Sequence, residues 1–201
     1  MARHGESQYN VKGLINADPT TCDSTLTETG RDQARMLGLR LADEPIDLCV
    51  TSQIQRAVET AEIALGNRGI TRLEVALLND PPAGVFEGRP VEEFARWMSE
   101  NGPNVPVPGT ATSLRDSTRR FLEAARFLLA RPEDVVLAVA HGPAIRWLLQ
   151  AASGDSTTLD YLNPLIEYAE PIEIQIDALR SSLAHLEADP YSVFDSGQSR
   201  R

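Results

Sequence analysis

The stretch VVLAVAHGPAIRWLLQAASG, residues 135–154, decides how this chain folds. Its first six residues, Val135 to Ala140, form an apolar run with the length and branching of a fully buried strand. The run stops at His141-Gly142. Pro143 follows, in the first helical turn where proline is tolerated. Ile145, Leu148, Leu149 and Ala152 then recur on one helical face as far as Gly154. Strand, short turn and helix in that order form the unit from which parallel α/β sheets are built.

Working outward, the same punctuation recurs. IDLCVTS (46–52) reads as a buried strand and LEVALL (73–78) as another. PIEIQID (171–177) alternates apolar and polar residues, as a half-buried edge strand would. Helices fill the gaps. LTETGRDQARMLGLRLADE (26–44) places Ala34, Leu37, Gly38 and Leu41 on one stripe, with Thr27 as its N-cap. SQIQRAVETAEIAL (52–65) repeats the pattern through Ile54, Ala57, Ala61 and Leu65, with Ser52 as the expected N-cap. SLRDSTRRFLEAARFLLARP (113–132) aligns Leu114, Phe121, Leu122, Ala125 and Leu129 and stops before Pro132. DALRSSLAHLEAD (177–189) is a further helix, with His185 expected on its surface. The proline-rich stretch 79–112, broken by a short helix near Val91–Glu100, reads as a connection folding over one end of the sheet. One domain over 1–191 follows, with a polar, mobile tail over 192–201.

Composition narrows the function. The chain has 201 residues, 42% of them hydrophobic, and a net charge of −10. That charge argues against nucleic-acid or anionic-membrane binding, which needs a basic surface. No apolar run approaches the ~20 residues of a membrane span. Two cysteines, Cys22 and Cys49, make no disulfide framework, and the expected compartment is the cytoplasm. No metal-ligand spacing and no P-loop pattern occurs, so no metal site and no cofactor is expected.

The chemistry gathers at strand ends. The chain opens MARHGESQYN (1–10), so Arg3-His4-Gly5 closes a first strand preceded only by Met1 and Ala2. Ser52 to Arg56 links the second strand to its helix, and His141-Gly142 ends the strongest strand. Ligands of open α/β sheets collect at the carboxyl ends of strands, where helix N-termini offer unpaired N–H groups. Two histidines and two arginines therefore meet at a rim suited to an anion. A neutral imidazole is a competent nucleophile for phosphorus. Arginine grips phosphate oxygens with a planar fork of donors. Asp80 is the carboxyl group available to protonate a leaving alkoxide, with Glu87 as a rival.

RHGESQYN (3–10), LTETG (26–30), TSQIQRAVETA (51–61), LLNDPPAGVFEG (77–88) and VAHGPAIRWLL (139–149), in that order, resemble the histidine phosphatase superfamily, the phosphoglycerate-mutase-like proteins. The resemblance implies a three-layer α/β/α sandwich with a mostly parallel central sheet. It implies that His4 is the nucleophile that becomes phosphohistidine, with Arg3, Arg56 and His141 holding the phosphoryl group. Asn10, with Ser7 of the same motif and Gly142, would contact substrate, and Asp80 would be the general acid and then the base that activates water. Two departures stand out: Asp80 occupies a position that is commonly Glu in the mutase-like branch, and Ala83 one that is commonly aromatic.

The expected activity is metal-independent hydrolysis of a small phosphomonoester. The alternatives are a mutase, which in this group is longer and carries additional insertions, and a non-catalytic phosphate-binding regulatory protein. The partner expected is a small phosphorylated molecule. The sequence leaves the oligomeric state open, a homodimer included. Trp97 and Trp147 read as packing residues, with Trp97 also placed to line a substrate mouth. Arg89, Arg96, Arg115 and Arg146 read mostly as solvated.

Overall fold

In a computed structural model, which describes residues 1–20, 25–153 and 166–187, the strands are β1 (Ala2–Arg3), β2 (Leu48–Thr51), β3 (Thr71–Glu74) and β4 (Val136–Ala140). The helices are α1 (Gln8–Val11), α2 (Glu28–Arg40), α3 (Gln55–Leu65), α4 (Val91–Asn101), α5 (Leu114–Leu129), α6 (Gly142–Ser153) and α7 (Ile176–Leu186). Among the described residues the sheet runs β1-β4-β2-β3, and every pair in it is parallel.

Strand alternation distributes the core between two faces. Leu48, Val50, Ala138 and Ala140 point to one face and pack with Ala124 of α5 and Ile145 of α6. Cys49, Leu137 and Val139 point to the other, against Ala57, Ala61 and Leu65 of α3. Helices α5, α6 and α7 close the first face around the fully buried Trp147. Helix α2 packs on α3, where Gly38 lies so close that an added Cβ would stand 2.4 Å from the Ala64 carbonyl oxygen. The result is the α/β/α sandwich with a mostly parallel sheet. Burial of Cys49 pushes its thiol up to about 12, so it packs as a small apolar group.

The helix starts explain much of the placement. Thr27 caps α2 by accepting the Gly30 N–H at 2.9 Å. Ser113 and Asp116 form a reciprocal capping box on α5; such caps stabilise a helix by ~1 kcal/mol. Ser52, by contrast, is not the N-cap of α3. Ile54 holds that position with extended backbone and no side-chain cap, and the Ser52 hydroxyl turns instead toward His141.

Two strand expectations are corrected. LEVALL divides: the Val75 N–H makes the last bond to Thr51 at 2.8 Å, and Ala76–Leu78 then curls into a 3₁₀ turn that buries Leu78 beneath the sheet rim. PIEIQID does not form an edge strand. Pro171 makes one bridge to Ala2, and Ile176 already begins α7. The reason is that β1 offers only two residues to pair with, and Pro171 has no N–H for a ladder. The alternation survives as half-burial of Ile172 and Ile174 without a strand. Chain 168–172 still borders β1, through Ala169 N–H to Arg3 (3.0 Å) and Ile172 N–H to Met1 (2.7 Å). The expected tail lies outside the described residues.

Segment 79–112 holds a 3₁₀ turn at Gly84–Phe86 and then α4. Its apolar cluster joins Ala83, Phe86, Phe94 and Val107 to Ile15 and Ala17 from the loop after α1. Trp97 stacks on Phe94, with centroids 6.2 Å apart, and belongs to this cluster.

Candidate active site

Parallel pairing aligns the ends of β1 and β4, Arg3 opposite Ala140, so the next residues, His4 and His141, emerge side by side. Their rings lie 5.1 Å apart, and both are almost fully buried. The leading tripeptide is fixed despite the brevity of β1. The His4 N–H bonds to Ala140 O at 3.0 Å, and the Gly5 N–H to the Thr60 hydroxyl at 2.9 Å, which itself bonds back to the Arg56 carbonyl. Gly5 is required here by contact: a Cβ would lie 2.4 Å from the Gly30 carbonyl oxygen at the start of α2.

Hydrogen bonding fixes the state of each imidazole. His4 Nδ1 lies 2.7 Å from the Gly5 carbonyl oxygen, which can only accept. Arg56 Nε, which can only donate, lies 2.9 Å from His4 Nε2. His4 is therefore protonated at Nδ1, and its basic nitrogen is Nε2. His141 is the opposite tautomer. Arg56 Nη2 donates to its Nδ1 at 3.0 Å, so Nε2 carries the proton, toward Ser52 Oγ at 2.7 Å. Burial first, and the charge of Arg56 second, holds both rings well below the ordinary histidine range, so both are neutral.

Arg56 is the hub. It rises from the first turn of α3, and its five donors meet His4, His141, Asp80 Oδ2 (2.7 Å), and both the carbonyl and side-chain oxygens of Asn16 (2.8 and 2.9 Å). Asp80 Oδ2 also lies 3.3 Å from His141 Nδ1. Burial raises Asp80 above its ordinary range, while Arg56 pulls it back. Its Oδ1 is buried without a partner, a place for a retained proton. Arg120 of α5 holds the backbone that carries this carboxyl, donating to the carbonyls of Ala76, Asn79 and Asp80.

A cavity of about 270 Å³ opens on this cluster. Arg3, His4, Ser7, Asn10, Arg56, Asp80 and Gly142 all line it, so the structure brings seven of the eight sequence-selected residues to one hollow. His141 does not line it and stands behind Arg56 and Asp80. Ser7 and Asn10 cap α1 by bonding each other, the Ser7 hydroxyl donating to Asn10 Oδ1 at 2.8 Å. Glu87, the rival carboxylate, does not line the cavity and faces the Ala17 N–H.

Sequence reasoning missed several residues. Tyr168 lies under the Arg3 guanidinium at 4.1 Å, and its ring centroid is 6.0 Å from that of His4. Arg146, expected to be solvated, lines the cavity one turn along α6. Asn16 lines it too and is 6% exposed. The Arg3 Nε and Asn16 Nδ2 donors are both buried without a partner. A polar Asn within the apolar LINA (14–17) was the available signal. Among the described residues no cluster of His, Cys, Asp and Glu could hold a metal ion, and no helix is long and apolar enough to cross a membrane.

Comparison with known proteins agrees with this geometry. The chain is 33% identical over 172 residues to a 2,3-bisphosphoglycerate-dependent phosphoglycerate mutase of Methylobacterium sp. (strain 4-46), covering 78% of this chain and 81% of that one. It is 33% identical over 161 residues to the uncharacterized phosphatase PhoE of Bacillus subtilis (strain 168), covering 79% of each. Among solved structures, Bacillus stearothermophilus YhfR superimposes with a TM-score of 0.69 at 31% identity, over 83% of this chain and 84% of that chain. Residues 1–187 match the histidine phosphatase superfamily, branch 1. With a match of that extent, the chain belongs to the histidine phosphatase superfamily.

Proposed function

We propose that the protein is a phosphatase that hydrolyses a small soluble phosphomonoester through a phosphohistidine on His4. The observation that carries this reading is the tautomer of His4. Its Nδ1 proton is held by Gly5, which leaves Nε2 as the nucleophilic nitrogen beside a cavity lined by three arginines, Arg3, Arg56 and Arg146. In the first step Nε2 bonds to phosphorus and the P–O bond to the alcohol breaks. Asp80 gives its proton to the departing oxygen. In the second step water attacks phosphorus and yields its proton to Asp80. The N–P bond breaks, releasing phosphate and restoring the lone pair. The charge of the transition state falls on Arg3 and Arg56, which supply the stabilisation that fixed cations give to phosphoryl transfer.

Arg56 also sets a condition. Its Nε–H occupies the lone pair that must attack, so phosphoryl oxygens have to draw the guanidinium off Nε2 as they bind. Arg3 and Asn16, which line the cavity, each keep a buried donor without a partner beside this cluster.

The mutase identity at 33% supports a second reading, transfer back to the same molecule. Length does not separate the two, because the chain covers 81% of that mutase and 79% of the phosphatase. Phosphate release and isomer formation, assayed side by side on phosphorylated sugar acids, decide between them; isomer without phosphate would overturn hydrolysis. Activity should persist in excess chelator. Asp80→Asn should slow an alkyl phosphate by ~10²–10⁴-fold, the range of general acid catalysis. It should slow p-nitrophenyl phosphate far less, because that leaving group needs little protonation. Equal losses in kcat/KM on both substrates would remove Asp80 from the acid role, because kcat/KM ends at the phosphoenzyme and so leaves out the second step, which Asp80 serves as base. Since the acid form is required, wild-type turnover of alkyl phosphates should also decline as pH rises through the elevated Asp80 pKa.

A further inference from the structure

The loop after α1 and the turn before α4 are laced together beside the cavity. The Ile15 N–H bonds to Arg89 O, Gly88 N–H to Ile15 O and Val91 N–H to Gly13 O, each at 2.9 Å. Glu87 closes this lacing from its side chain. Both carboxylate oxygens lie 3.1 Å from the Ala17 N–H, and the backbone at Asp18 also bonds to it. The residue so fixed is next to Asn16, whose two oxygens hold Arg56 Nη1. We propose that Glu87 is a positioning residue: it clamps the Asn16 loop, and through Asn16 it sets the Arg56 guanidinium against His4 and the phosphoryl group.

The inference rests on the phosphatase reading for its kinetic consequences, but not for its geometry. Three observations favour a role beyond packing. First, a carboxylate is an expensive choice for a half-buried position. Burial raises Glu87 above its usual range, and the nearby Asp18 and Asp80 repel it, against the bonds from Ala17 and Asp18. An acid whose folded pKa is raised contributes stability at low pH that is lost as pH climbs through that pKa. Ionised Glu87 therefore works against stability at neutral pH. Second, its charge acts on the buried guanidinium of Arg56, favouring the cationic form. Third, Arg56 touches His4, His141 and Asp80 together, so a small shift there displaces the whole cluster. Misplacement of ~1 Å can lower a rate by about 10²-fold.

The test compares Glu87→Gln and Glu87→Ala with Asn16→Ala and with the double variant Glu87→Ala/Asn16→Ala. Kinetics, melting temperature and calorimetric binding of inorganic phosphate are measured for each. Glu87→Gln keeps an acceptor and removes the charge. It should lower kcat by about tenfold with the melting temperature unchanged or raised. Glu87→Ala should lower kcat by about 10²-fold and weaken phosphate binding. The double variant should fall no further than the worse single variant, because both act through one guanidinium. Independent, multiplying losses in the double variant would overturn the proposal. So would a lowered melting temperature in both Glu87 variants with wild-type kcat in the folded fraction. Should wild type turn over no phosphomonoester, the phosphatase reading fails by itself. Phosphate affinity then still tests Glu87: equal affinity in wild type and Glu87→Ala would reject it.

Discussion

The ends of β1 and β4 make an instructive pair. Each is a parallel strand that stops at a His-Gly step on the same rim, and each histidine is buried and neutral. Their surroundings nevertheless make them opposites. His4 spends Nδ1 on its own neighbour Gly5, accepts from Arg56 at Nε2 and lines the cavity. His141 spends Nε2 on Ser52, a residue from β2's end, and gives Nδ1 to Arg56 beside Asp80. The same ring in the same kind of strand end thus lines the cavity in one place and stands behind it in the other, which fits the nucleophile proposed for the first and a support for the second. Which of the two it becomes is decided by the partner of the second nitrogen.

The largest effect expected from this difference is at His4. His4→Ala should abolish turnover, a loss of at least ~10⁴-fold, as removal of a covalent nucleophile does. It should also abolish the acid-labile phosphoenzyme that quenching of wild type is expected to trap. His141→Ala should cost about 10²-fold, the scale of a small misplacement of the Arg56 and Asp80 side chains it backs, and should still form the phosphoenzyme. A phosphoenzyme that survives in His4→Ala, or disappears equally in both variants, would erase the distinction.

The two rings should act alike on stability, which sharpens the contrast. A histidine with a lowered folded pKa contributes stability that is complete above its unfolded value of about 6.5 and is lost as pH falls toward the folded value. Each contributes a slope of up to ~1.4 kcal/mol per pH unit in that window. The melting temperature should therefore drop below pH 6.5, and removing either ring should flatten the drop by a similar amount. Unequal flattening would show that one ring is charged in the folded chain.

The sequence made this pairing legible because the relevant signals are local. Val135 to Ala140 followed by His141-Gly142-Pro143 announces strand, turn and helix within nine residues, and sheet topology then carries His141 to His4. What stayed hidden arrives across space. Ser52 looked like a cap because it precedes a helical run, yet its hydroxyl found a ring 89 positions away. Arg120 sits on the edge of the apolar face of α5, and only the folded 76–80 turn supplies its carbonyls. Tyr168 and Asn16 lie in loops without periodicity. PIEIQID carried the alternation of a strand, but a ladder also needs a neighbour long enough to pair with, and a two-residue β1 is not.

Ser52 offers the finest cut. Its hydroxyl accepts the His141 Nε2 proton at 2.7 Å and also receives the Ile54 N–H at 3.3 Å. Ser52→Ala leaves that buried imidazole N–H without an acceptor, a loss of about 1–3 kcal/mol in stability. The tautomer itself should survive, because Arg56 still donates to Nδ1. The ring is then held from one side only, and kcat should fall by about five- to tenfold, the worth of one hydrogen bond near 1 kcal/mol. The decisive comparison is made in the His141→Ala background. If Ser52 acts by orienting His141, removing its hydroxyl there should change kcat by less than about twofold. A full loss in that background would mean that Ser52 works through the Ile54 amide and the start of α3. Arg56, one turn further on, would then be the group whose position the hydroxyl controls.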